Sequence, residues 1–167
     1  MRLVAARDLT VERLEVTQGL QDTGNSIPLV QGRRTIVRAY LGIGSDPGPV
    51  RNVSGELEGY ANGAKLGSVL PINEAGSIDA PDDPDWKNID DTLNFELPAA
   101  WTQQPSLHLK ATVNKERGIA EENYDNNDRT ADVNLEVCAG LSIGYAPVLY
   151  APSGGSPAGP SANIALG

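Results

Sequence analysis

The sequence predicts an all-β domain, and three observations carry that expectation. Between residues 93 and 137 three runs alternate strictly: Leu93, Phe95 and Leu97 with Asn94 and Glu96; Leu107, Leu109, Ala111 and Val113 with His108, Lys110 and Thr112; Ala131, Val133, Leu135 and Val137 with Asp132, Asn134 and Glu136. A period of two places the apolar side chains of each run on one face of a half-buried strand. The connections are turn chemistry, with 18 Gly and 12 Pro in 167 residues. Aromatic residues make up only 5%, so the interior is built mainly from Val, Leu, Ile and Ala. Strands apolar on one face need a second apolar layer, and the residues before Leu93 supply it. The expected architecture is therefore an Ig-like β-sandwich of about seven antiparallel strands in two sheets. It should occupy residues 1–138, with 139–167 forming an apolar strand-like segment and a tail or linker rich in Pro, Gly and Ser.

Taken in order, residues 8–18 carry Leu9 and Val11 on one parity and Leu14 and Val16 on the other, so the phase flips around Glu12-Arg13. Strand faces alternate, and a flip requires a bulge or a strand that changes sheets. Gly24-Asn25 is a turn, and Pro28 in Ile27-Pro28-Leu29-Val30 suits a sheet edge. Residues 33–43 place Thr35, Val37, Ala39, Leu41 and Ile43 on one face, the pattern of a central strand. Residues 44–49 are a turn, residues 53–61 alternate again, and Asn62-Gly63 is a hairpin signal leading into 65–70. Residues 73–91 hold Asp79, Asp82, Asp83, Asp85, Asp90 and Asp91 with few apolar positions, and read as a long acidic connection. Pro98 ends the next strand, and Trp101 follows as a plug at the edge of the core. The core itself is expected from Val37, Leu41, Leu57, Leu93, Phe95, Leu97, Leu107, Leu109, Val133 and Leu135.

Composition excludes several roles. A formal net charge of −9, with no basic cluster beyond Arg33-Arg34, repels a nucleic-acid backbone. No apolar run is long enough for a helix that spans a membrane. Residues 1–6 are too short for a signal peptide, so if the natural protein is exported this chain is a mature fragment or an excised domain. Cys138 is the only cysteine, which rules out an intramolecular disulfide.

Two sets of residues suggest a family. Asp8-Leu9-Thr10-Val11 as an opening strand, and Glu122-Asn123-Tyr124-Asp125-Asn126-Asn127 before the last alternating strand, resemble the CARDB domain, a cell-adhesion-related Ig-like domain of bacterial surface proteins. Its hallmark is a Glu and paired Asn in the last hairpin. Residues 16–21, 27–30 and 34–41, with residues 93–98 and Trp101, are also similar to β-sandwich modules that precede catalytic domains, metallopeptidases among them, in secreted bacterial proteins. The resemblance spans residues 8–137 and implies a fold more than a function.

Candidate chemistry is sparse. His108 is the only histidine and faces away from Leu107 and Leu109, so it reads as a surface residue, and no triad or zinc helix can be assembled around it. Glu121, Glu122, Asp125, Asn126, Asn127 and Asp128 supply oxygen ligands within eight residues, which raises calcium, with Glu122, Asp125 and Asp128 as the metal ligands. The competing reading, and the one expected, is that Asn126-Asn127 turns a hairpin while the acids stay solvated. Trp86, among aspartates, is a contact for a glycan or protein partner, or a pin that holds the acidic loop. No enzyme activity and no required cofactor are expected. The function expected is a non-catalytic extracellular or cell-surface module that mediates adhesion or positions a neighbouring domain of the same polypeptide. The alternatives are an accessory domain of a secreted hydrolase and a surface-polymer subunit assembled by strand addition.

Overall fold

The computed structural model describes residues 7–44, 48–85 and 87–138. Trp86 and the segment 139–167 lie outside the described residues, as does part of the turn expected at 44–49. Among the described residues ten strands form: β1 (Arg7–Thr17), β2 (Leu29–Val30), β3 (Ile36–Gly44), β4 (Val50–Val53), β5 (Gly55–Ala61), β6 (Ala64–Val69), β7 (Ile78–Ala80), β8 (Leu93–Glu96), β9 (Ser106–Val113) and β10 (Asp128–Glu136). One sheet has the order β1-β3-β8 and the other β2-β10-β9-β5-β6, while β4 and β7 pair as a separate ribbon. Every pairing is antiparallel except β2 on β10, which is parallel. Setting aside the ribbon and the two-residue β2 leaves seven of the described strands, three in one sheet and four in the other.

The phase flip in β1 is a bulge, because the register with β3 slips between Val11 and Arg13. Leu9 and Val11 before it, and Leu14 and Val16 after it, are all buried. The extra residue turns Arg13 to the outer face, where unbroken alternation would have sent it inward. The outer edge of β1 is covered by its own following loop. Asn25, at positive φ, receives the Val16 N–H on its Oδ1 at 2.8 Å and donates from Nδ2 to the Leu14 carbonyl at 2.8 Å, standing in for a neighbouring strand.

All ten expected core residues are buried, and Trp101 is 5% exposed. Trp101 lies in a helical turn, α1 (Ala99–Thr102), and its indole lies against Gly59 of β5. A Cβ on residue 59 would stand 2.4 Å from the ring, so the glycine makes the slot. Asn62 and Gly63 both have positive φ, as the tight β5–β6 hairpin requires.

The structure departs from the sequence reading in three places. The acidic connection 73–91 contains β7 and two 3-10 turns, Glu74–Gly76 and Ile89–Asp91. Three residues are too few to show a period, yet Ile78 and Ala80 are buried. Asn94, expected on a polar face, is 3% exposed because this connection covers it. Its Nδ2 donates to the Ile89 and Thr92 carbonyls at 2.7 and 2.9 Å, and its N–H reaches Asn73 Oδ1 at 2.8 Å. Val137, expected inside, follows the end of β10 and is 81% exposed. Among the described residues no helix is long and apolar enough to cross a membrane.

Candidate functional site

The β9–β10 connection is built around one carboxylate. Asn114 follows β9 at φ 48° and holds residue 119 through two bonds, Nδ2 to the Ile119 carbonyl at 2.7 Å and the Ile119 N–H to its Oδ1 at 3.1 Å. That turn presents Glu121 to β1. Glu121 Oε2 accepts the Leu9 N–H at 2.6 Å, while Oε1 accepts Nδ2 of Asn127 at 2.8 Å and Nδ2 of Asn114. A main-chain bond from the Glu122 N–H to the Arg7 carbonyl, 3.0 Å, runs beside it. Asn126 Nδ2 then donates to both oxygens of Asp8 at 3.0 and 3.1 Å. The start of β1 and the start of β10, in different sheets, are thus tied at one corner. Turning either amide over would set its oxygen against a carboxylate oxygen, so both orientations are fixed. The cost is that the buried Oδ1 atoms of Asn126 and Asn127 find no donor among the described residues.

The residues expected to bind calcium stand outside this knot. Glu122 and Asp125 are exposed, and the Asp125 N–H closes a turn on Asn123 Oδ1 at 3.0 Å. Asp128 pairs with Lys110 at 3.0 Å. Among the described residues no group of three or more His, Cys, Asp and Glu side chains is arranged to hold a metal ion. His108 is on the outer face of the five-stranded sheet, as expected, with Nδ1 2.8 Å from Asp132 and its ring edge-on to Tyr60 at 6.0 Å. Glu121, counted among the six oxygen donors but not among the three metal ligands, is the residue that sequence reasoning gave no role of its own. Nothing local distinguishes it from Glu122; only the docking of the connection onto β1 does.

A second polar constellation lies on the outer face of the three-stranded sheet. The β1 bulge sets Arg13 opposite Tyr40 of β3, and its guanidinium lies 3.9 Å from the centre of the phenol ring. Arg38 approaches the same ring at 5.2 Å, and the two cations leave Tyr40 only 5% exposed. The Tyr40 hydroxyl donates to Glu15 Oε2 at 2.7 Å. Burial first, and this bond second, push the Tyr40 phenol above its ordinary range, against the pull of Arg38 and Arg13. Arg38 is fixed further by the Thr92 hydroxyl at 3.3 Å and the Asn88 carbonyl at 3.2 Å. Loop residues 19–23 and Lys87 wall Arg13, Glu15 and Arg38 into a groove of about 770 Å³, with Leu20 in its lining 75% exposed.

Fold and sites together define an all-β sandwich whose loops are fastened by their own side chains. No protein-family model matches the sequence, and no curated protein matches it. Among solved structures the chain is similar to the crystal structure of the CARDB domain of the PF1109 protein of Pyrococcus furiosus, described in complex with di-metal ions. The identity is 21%, over 80% of this chain and 96% of that one, with a TM-score of 0.45. The solution NMR structure of the same domain matches at 19% identity over 78% and 96% of the two chains, with a TM-score of 0.44.

Proposed function

We propose that this chain is a non-catalytic module of an exported protein, which mediates adhesion to a surface protein or glycan or positions a neighbouring domain. The observation that carries this reading is where the polar side chains direct their hydrogen bonds. The buried Asn94 and the half-buried Gln18, Asn25, Asn73 and Glu121 each bind the main chain of a loop or strand. They fix shape. A rigid sandwich with fastened corners holds two neighbours at a set geometry, and its acidic surface suits solubility outside the cell. Calcium is not required in this reading, since Glu122, Asp125 and Asp128 serve as turn and surface residues.

The test is turnover by the purified chain on peptide, ester and glycoside panels. None is expected. The nearest approach to an acid–base pair is His108 with Asp132, so activity abolished by His108→Ala would overturn the reading.

A further inference from the structure

We infer that the groove over Tyr40 is a docking site for an extended acidic segment of a protein partner, with Arg13 as the group that receives its carboxylate. Arg13 has no carboxylate within hydrogen-bond reach among the described residues. Arg34, Lys65, Lys110 and Lys115 each have their own carboxylate within hydrogen-bond reach, at 2.8 Å for Arg34, 3.0 Å for Lys110 and 2.7 Å for Lys115. Arg13 reaches only Glu15, at 3.9 Å, and that oxygen already accepts from Tyr40 and stands 3.8 Å from Arg38. Among the described residues its guanidinium makes no hydrogen bond, although the side chain is only 28% exposed. A half-exposed guanidinium with no carboxylate in hydrogen-bond reach can exchange solvent for a ligand's carboxylate, and a charge-assisted, two-pronged bond is among the strongest it can form.

The setting fits a carboxylate. The fork of Arg13 is held flat by the Tyr40 ring, so little freedom is lost when two parallel N–H···O bonds form. The bulge that turns Arg13 outward is the only irregularity on the Val11–Thr17 side of β1. Arg38 and Lys87 line the same groove, giving three cations against Glu15 and Asp22, on a chain whose total charge is −9. Asp22 is turned into its own loop, where Ser26 and Gly24 donate to it and hold its carboxyl below the usual range. An anionic segment repelled elsewhere is therefore drawn here. Leu20 at the lip offers an apolar contact next to the charge, so the preferred sequence alternates acidic and aliphatic residues.

This inference rests on the reading of the chain as a binding module, and its failure leaves the turnover test of that reading untouched. The probe is a fluorescein-labelled peptide of alternating Leu, Asp and Glu, with a peptide carrying Lys at the same positions and a glucuronate oligosaccharide as comparisons. Fluorescence anisotropy should show saturable binding of the acidic peptide alone, weakened by added salt. Arg13→Gln should weaken it about tenfold or more, and Arg13→Lys should not restore it, because a lysine neither forks nor stacks flat. NMR amide shifts in the unaltered protein should be confined to residues 13–15, 19–23, 38–40 and 87, which keeps the test independent of whether a variant folds. Equal binding by folded Arg13→Gln, shifts scattered over the surface, or preference for the glucuronate oligosaccharide would each overturn the assignment.

Discussion

Glu121 and Arg13 are both charged and both half-buried, one docked on β1 and the other within it, yet their surroundings are opposite. Glu121 accepts from three donors contributed by three separate segments, residues 9, 114 and 127. Among the described residues Arg13 donates to none, and the face of a ring and a shared carboxylate hold it. A buried charge that is fully hydrogen-bonded fastens structure, and removing it strands its partners. One whose donors are unused holds its place by packing and stays available to a ligand. The contrast assigns structure to one corner of the sandwich and recognition to the other.

The largest effect should come from breaking the first corner. Glu121→Ala leaves the Leu9 N–H and the Asn114 and Asn127 amides without their acceptor, and hydrogen bonds to a charged group contribute about 1.5 to 3 kcal/mol each. Since the three act as a unit, a loss of about 3 to 4 kcal/mol is expected in urea denaturation. Glu122→Ala, one residue away and exposed, should change stability by no more than about 0.5 kcal/mol. Equal effects at the two positions would erase the distinction between them.

The second corner should yield far less. Arg13→Ala removes one cation–π contact and some packing on Tyr40, a cost of about 1 kcal/mol in the same measurement. A cost matching that of Glu121→Ala would make Arg13 a structural residue and remove the basis for the docking groove.

The two corners also differ in how far the sequence discloses them. The alternation that marks β3, β9 and β10 survives because each has one face on the core, and the flip at Glu12-Arg13 shows the bulge for the same reason. That bulge is what turns Arg13 outward, so the groove is half legible from periodicity. The Glu121 knot is not. It depends on a contact between residues 9 and 121, and on a connection docking across two sheets, which no local pattern encodes. The same limit hid β7 and the burial of Asn94, since a cover supplied by a distant loop changes which face is inside.

Alkaline titration sharpens the comparison on the side of Tyr40. Its folded pKa is raised, so the phenol's contribution to stability is full below its ordinary value of about 10 and is lost as pH rises through the folded value. Tyr40 should ionise late in absorbance titration of the native protein, and that late phenol should be missing in Tyr40→Phe. A titration in which that substitution removes an ordinary or early phenol instead would mean that the Arg13 stack does not exclude water.

The smallest expected effect concerns metal ions at the Glu121 corner. A divalent cation held there would favour the folded state by mass action, and calcium, with its preference for several carboxylate and carbonyl oxygens, would do so more than magnesium. Glu121 and Asp8 already receive amide and main-chain donors, and Asp128 receives Lys110. A cation would have to displace these bonds before it gained its own. Millimolar calcium and magnesium should therefore shift the melting temperature alike, through screening of a chain with nine excess negative charges. A rise specific to calcium, reversed by chelator and absent in Asp125→Ala, would convert the residues at 121–128 from a fastening into a metal site, and would reverse the roles assigned to the two corners.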